Sequence, residues 1–200
     1  MPIVTPVIRI LVRLLLTALI VATPAAAQQD GRLPAPSLSR TFAEAGYGYS
    51  IRYPGPWTVS RSGPYTVVFA GAPDTPAYYS TVSIANRLSP NPGEPQRGAA
   101  AVMSRYLEEL TAKARNARVL KRTSFMRRGQ GVTLDGYQAV TEFVANGGGH
   151  MRQWVVVVPR RSGTVVHTWM YTAELDDFEE SIPIARAMLD SWTIDGTDAR

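Results

Sequence analysis

Between residues 47 and 53 the chain alternates. Tyr47, Tyr49, Ile51 and Tyr53 occupy one set of positions, and Gly48, Ser50 and Arg52 the other. A period of two puts each set on its own face of an extended strand, so the segment predicts a half-buried strand. Pro54-Gly55-Pro56 ends it, because proline has no N–H to give to a ladder. Residues 57–61 predict a second short strand, Ser62-Gly63-Pro64 a turn, and residues 65–70 a third strand rich in Val and aromatics. Residues 71–76 turn the chain into a fourth strand at 78–86. Pro90, Pro92 and Pro95 make residues 89–96 a loop.

The period then changes. Met103, Tyr106, Leu107, Leu110 and Ala114 recur at three- and four-residue steps, with Arg105, Glu108, Glu109 and Lys113 between them. That spacing predicts an amphipathic helix over 97–116, its stripe turned to the core. Strands return at 119–126 and at 133–145, the second carrying Asp135-Gly136, a turn dipeptide that would interrupt it. Asn146-Gly147-Gly148-Gly149 is a hairpin loop. Residues 151–158 contain Val155-Val156-Val157-Val158, an unbroken apolar run expected on a strand covered on both faces. Arg160-Arg161-Ser162-Gly163 turns into a strand at 164–172. Two tight turns in succession imply an antiparallel meander. Leu175, Phe178, Ile182, Ala185, Leu189 and Trp192 return to helical spacing, with Pro183 inside the pattern as a kink or as the mark of a later start. The resulting fold class is α+β: an antiparallel sheet with helices packed on it.

The N-terminal pattern is of a different kind. Arg9 and Arg13 precede the apolar stretch 14–22, and Ala25-Ala26-Ala27 follows. Charge, a short apolar run and small residues in that order read as a secretory signal over 1–27, with the mature chain starting at Gln28. The apolar part is about half the roughly 20 residues that a spanning helix needs. The two arginines are not adjacent, so twin-arginine export is not indicated, and no cysteine follows for lipoprotein processing. The expected destination is the periplasm, or the medium of a cell with one membrane. Residues 28–46, with Pro34 and Pro36 and no periodicity, read as a flexible leader. One domain then fills 47–194, and 195–200 is a frayed tail.

Composition narrows the chemistry. With no cysteine, the exported chain has no disulfides, thiol nucleophile or thiolate metal site, and no disulfide-linked partner. The formal charge is +5, or +3 without the two signal arginines. It is unevenly spread. Lys113, Arg115, Arg118, Lys121, Arg122, Arg127 and Arg128 form a run without an acid, and Glu174, Asp176, Asp177, Glu179 and Glu180 a run without a base. The basic run is a candidate contact for an anionic surface, either lipid headgroups or an acidic partner. Its plain alternative is a solvated face. Export argues against nucleic acid as the partner. The acidic run sits at the start of the last helix, where negative charge suits the dipole.

Motifs of catalysis are absent: no G-x-S-x-G, H-E-x-x-H, P-loop or dinucleotide fingerprint occurs. His150 follows the glycine hairpin and is expected to be exposed. His167 falls mid-strand, on the side of Val165, Trp169 and Tyr171, and reads as a buried histidine with a satisfied hydrogen bond rather than a base or ligand. Glu142, on a strand beside Phe143, is the one acid expected to turn inward. The early aromatics Tyr47, Tyr49, Tyr53, Trp57, Tyr65, Tyr78 and Tyr79 suit a core or a binding surface. No cofactor or metal site is expected.

Tyr49-Ser50-Ile51-Arg52-Tyr53-Pro54 followed by Trp57, the amphipathic helix before the basic strand, and Tyr171-Thr172-Ala173 leading through Phe178 to Met188-Leu189-Asp190-Ser191-Trp192 together resemble the PsbP-like family. These are extrinsic photosystem II subunits and exported bacterial proteins. The resemblance spans about 47–194 and implies a three-layer α/β/α sandwich. The expected function is a non-catalytic accessory or binding protein that contacts an envelope protein or anionic membrane surface. The alternatives are a small-ligand or lipid carrier with a pocket between sheet and helix, and a hydrolase.

Overall fold

A computed structural model describes residues 37–75, 77–129 and 132–194. The expected signal at 1–27, the leader up to 36 and the tail at 195–200 lie outside the described residues. Seven strands build one antiparallel sheet: β3 (Thr58–Gly63), β4 (Thr66–Ala70), β5 (Thr81–Leu88), β6 (Arg115–Gly129), β7 (Val132–Val144), β8 (His150–Pro159) and β9 (Val165–Glu174). Their spatial order is β3-β4-β5-β9-β8-β7-β6. The meander β6 to β9 therefore folds back so that β9 pairs with β5. A second sheet has the order β1-β2-β10, from β1 (Arg40–Phe42), β2 (Tyr49–Tyr53) and β10 (Thr193–Ile194). The helices are α1 (Pro95–Lys113) and α2 (Phe178–Ser191).

The alternation in the sequence sorts residues between two cores. On one face Ala99, Val102, Met103 and Leu107 of α1 pack on Ala139, Val155, Val157 and Val166. On the other, Phe178, Ala185, Met188, Leu189 and Trp192 join Tyr49, Ile51 and Tyr53 against Val156, Val158, Trp169 and Tyr171. Val155 to Val158 are all fully buried, as a strand covered on both faces requires. The layers are thus α1, the large sheet, and α2 with the small sheet, which is the expected α+β sandwich.

Several expectations shift. The leader gives way to structure by Arg40: β1 pairs with β2, and Phe42 is buried, its ring 6.0 Å from that of Phe69. β2 starts at Tyr49 rather than 47, because Gly48 has φ +70°. α1 ends at Lys113, before Asn116 with its φ of 53°. β7 runs through Asp135-Gly136 without a turn. Gly136 is there for space, since a Cβ would stand 1.9 Å from the Val157 carbonyl oxygen. Pro183 lies inside α2 and does not begin it; the N–H it lacks would bond the Glu179 carbonyl. β6 is 15 residues long and takes in most of the basic run.

Candidate functional site

The large sheet is wider than its cover. Seven strands at about 4.8 Å spacing span roughly 29 Å, whereas one helix is roughly 10 Å across. α2 lies on β9 and β2, and the small sheet covers the β4–β5 side. The outer strands β7 and β6 are left open on this face. Between them and α2 runs a groove of about 270 Å³, lined by Lys121, Gln138, Val140, Trp154, Phe178, Ile182 and Arg186 among others.

Register explains the grouping. Lys121 on β6 pairs with Val140 on β7, and Val140 with Trp154 on β8, so the three stand in one row on one face. The Trp154 indole donates to Gln138 Oε1 at 3.0 Å, and the Gln138 amide donates to the Ser124 carbonyl at 3.4 Å. The indole is held from behind by Trp169, with ring centroids 5.3 Å apart. From α2 the Arg186 guanidinium lies 5.5 Å above the Trp154 ring, within cation–π range. The site therefore offers an aromatic wall, the apolar side chains of Val140 and Ile182, and two cations at its rim.

An ion cluster closes the neighbouring end. Glu142 is buried and accepts from Arg152 at 2.7 and 2.9 Å, and from Arg118 Nε at 2.9 Å. Arg152 also reaches Glu179 of α2 at 3.0 Å and covers the Phe178 ring. The hydrogen bonds from Arg152, then Arg118, hold the Glu142 carboxyl below its ordinary value. The inward acid is thus a structural acceptor that ties three strands to α2. A carboxylate with both oxygens engaged by guanidinium is a poor proton acceptor.

The basic run is not one face. Lys113 pairs with Glu109 at 3.6 Å on α1. Arg118 is spent on Glu142, and Lys121 enters the groove. Arg122 turns to the opposite face and donates to Ser104 of α1 at 3.1 Å. Arg115 is exposed at the start of β6. Arg127 and Arg128 pair through the backbone with Leu134 and Thr133. β6 is the outermost strand and carries irregular register at 115/118 and 119/121. Cations and bulges on an edge strand discourage pairing with another chain.

His150 is exposed. His167 is fully buried and belongs to a closed polar ring. Arg160 Nε donates to its Nε2 at 3.2 Å, which leaves the proton on Nδ1, 2.6 Å from Asn86 Oδ1. Asn86 and Arg160 both donate to the Tyr47 carbonyl, at 2.7 and 2.6 Å. Burial, with Arg160 adding to it, pushes the imidazole down to about 3. This is the satisfied strand histidine that the pattern implies. It also explains Gly48, whose Cβ would fall 2.0 Å from the Arg160 guanidinium. Of the early aromatics, Tyr47, Tyr49, Tyr53 and Trp57 are core, whereas Tyr65, Tyr78 and Tyr79 are exposed. Among the described residues no three His, Asp or Glu side chains are grouped to hold a metal.

The sequence pattern offers Lys121 as a contact for an anionic surface and Ile182 as part of a core-facing stripe, and it singles out none of Gln138, Trp154 and Arg186. Trp154 looked like any strand aromatic and Arg186 like any polar-face helix residue. Only the register of β6, β7 and β8 brings them together.

No protein-family model matches the chain, and no curated protein does. Solved structures do. Cyanobacterial PsbP (CyanoP) of Synechocystis matches at 15% identity over 78% of this chain and 91% of its own, with a TM-score of 0.55. A Pseudomonas aeruginosa protein of unknown function matches at 16% over 79% and 98%, TM-score 0.52. The Saccharomyces cerevisiae Ran-binding protein Mog1p matches at 9% over 78% and 94%, TM-score 0.50. The α+β sandwich and the match to cyanobacterial PsbP together assign the chain the PsbP-like fold.

Proposed function

We propose that the chain is an exported, non-catalytic binding protein that holds a component of the cell envelope on the groove between α2 and β6–β8. The observation that carries this reading is the groove itself: an open, partly apolar recess with a fixed indole and two cations. The inward acid and the buried histidine are occupied in structural networks, Glu142 by two arginines and His167 by Arg160 and Asn86. Among the folded relatives, Mog1p is by its name a protein-binding protein. The N-terminal pattern directs the chain outside the cytoplasm, with Gln28 as the first mature residue. No helix among the described residues is long and apolar enough to cross a membrane.

A photo-cross-linking amino acid at Gln138 or Ile182, with Val59 on the far edge strand as control, tests the reading in exporting cells. The expected result is a discrete adduct in the envelope fraction from the two groove positions and none from Val59. Retention in the cytosol with residues 1–27 still attached, or the same adducts from all three positions, overturns it.

A second reading rests on the exposed β6 edge. Arg115, Lys121 and Arg122 are exposed, and with Arg127 and Arg128 they would attach the protein weakly to an anionic surface. Each cation near an anionic membrane contributes about 1 kcal/mol, screened over roughly 10 Å.

A further inference from the structure

We infer that the groove takes a small amphiphilic anion, its head between Lys121 and Arg186 and its apolar body along Val140, Trp154 and Ile182. This deepens the reading of the groove as the binding site and rests on it.

Size comes first. About 270 Å³ equals roughly nine waters at about 30 Å³ each, just under the range of drug-sized pockets. It suits a short chain or a single ring with one polar end. The walls supply the apolar surface: Val140, Trp154 and Ile182 are each only partly covered by the protein. A partly exposed indole beside partly exposed aliphatics is surface that water covers at a cost and a hydrocarbon body covers favourably.

Charge gives the sign. Lys121 has no carboxylate partner among the described residues. Arg186 is placed by the Trp154 ring and not by the groove floor. Of the acids beside the groove, Glu142 and Glu179 are engaged by Arg118 and Arg152, and Asp190 stands one turn along α2 from Arg186. Gln138 is turned to the indole. The rim therefore presents two cations from two different elements toward one recess. Guanidinium and ammonium flanking one site suit a carboxylate or another oxyanion, and they repel a cationic head.

A flat anionic membrane fits less well. Lys121 and Arg122 of β6 turn to opposite faces, so a plane does not meet both. A monomer that enters the recess meets both rim charges and the apolar wall at once.

Trp154 is a built-in reporter. The chain from Gln28 is titrated with octanoate, octanol and octylammonium while tryptophan emission is followed, with Trp154→Phe identifying the responding indole. Octanoate should give saturable quenching that is lost in Trp154→Phe. Octylammonium should bind at least tenfold more weakly, and added salt should weaken octanoate alone. Lys121→Ala/Arg186→Ala should weaken octanoate at least tenfold and octanol little. Both side chains are exposed, and a thermal melt checks that the double variant folds; if it does not, Lys121→Glu read in the same titration replaces it. Three results overturn the inference: no saturable response to octanoate, equal binding of octylammonium, or octanoate binding indifferent to the rim substitutions. A response that requires phosphatidylglycerol vesicles and is absent with monomeric octanoate also overturns it. Octanoate binding without groove cross-links in cells leaves this inference standing and removes the envelope role. Cross-links without octanoate binding do the reverse.

Discussion

The two ends of the meander follow opposite rules. In β8 and β9, Val155 to Val158, Trp169, Tyr171 and Ala173 have no more than trace exposure, and packing fills both faces. In β6, Val119, Leu120, Lys121 and Arg122 are exposed, and Phe125 is the buried residue among the described side chains of the strand. The same antiparallel pairing holds both regions. What differs is the layer above: α1 and α2 both reach the centre, and α2 stops short of the edge. Central strands therefore carry stability. The edge leaves side chains free for binding, and its charges keep it from pairing with other chains.

If that contrast is right, truncation in the centre should cost most. Trp192→Ala opens the core where the indole meets Tyr49 and His167, at 6.3 and 6.1 Å between ring centroids. The loss should be roughly 3–5 kcal/mol, read as a fall of many degrees in the thermal midpoint. An unchanged midpoint would break the comparison.

The next effect is pH-dependent and sits at the border of the two sheets. His167 is neutral when folded, with its value lowered from 6.5 to about 3. The unfolded chain then binds the extra proton first, so this contribution is complete above pH 6.5 and is lost as pH falls toward 3. The slope approaches about 1.4 kcal/mol per pH unit, or roughly 2 kcal/mol lost by pH 5. Denaturant midpoints measured from pH 8 to pH 4 should fall steeply for the natural chain and less so for His167→Gln. Parallel curves would remove the histidine from the account.

Glu142→Gln should follow, at roughly 1–2 kcal/mol, because it breaks charge-assisted bonds that join the edge to α2. Its carboxyl is depressed when folded. The deficit should therefore be full above the ordinary value of 4.5 and vanish as pH falls through the lower folded value. A deficit that persists in acid would mean a steric cause.

The smallest stability effect belongs to the edge cations. Lys121→Ala/Arg122→Ala/Arg127→Ala/Arg128→Ala should change stability by about 0.5 kcal/mol or less per site. The same variant decides the second functional reading. Retention of the natural chain on anionic vesicles at low salt, lost at high salt and in the variant, supports surface contact by β6. Sedimentation indifferent to the substitutions removes it.

Much of this was legible in the chain. Alternation in residues 47–53 and the Val155–Val158 run located strands with one and two covered faces, and three- and four-residue spacing located both helices. Local period is written in local sequence, because backbone geometry ties side-chain direction to position. The satisfied His167 and the inward Glu142 were also readable as single residues. Their partners were not: Arg160, Asn86, Arg118 and Arg152 lie on other turns and strands. The basic stretch looked like one unit because it is contiguous. Strand geometry splits it, sending Lys121 and Arg122 to opposite faces.

The sequence by itself therefore determined the order and kind of the elements and the two-sided burial of the sheet centre. Only the tertiary structure decided the groove. Lys121, Gln138, Trp154 and Arg186 are far apart along the chain and meet through strand register and the placement of α2. Register and layer packing depend on long-range contacts, which no local period encodes.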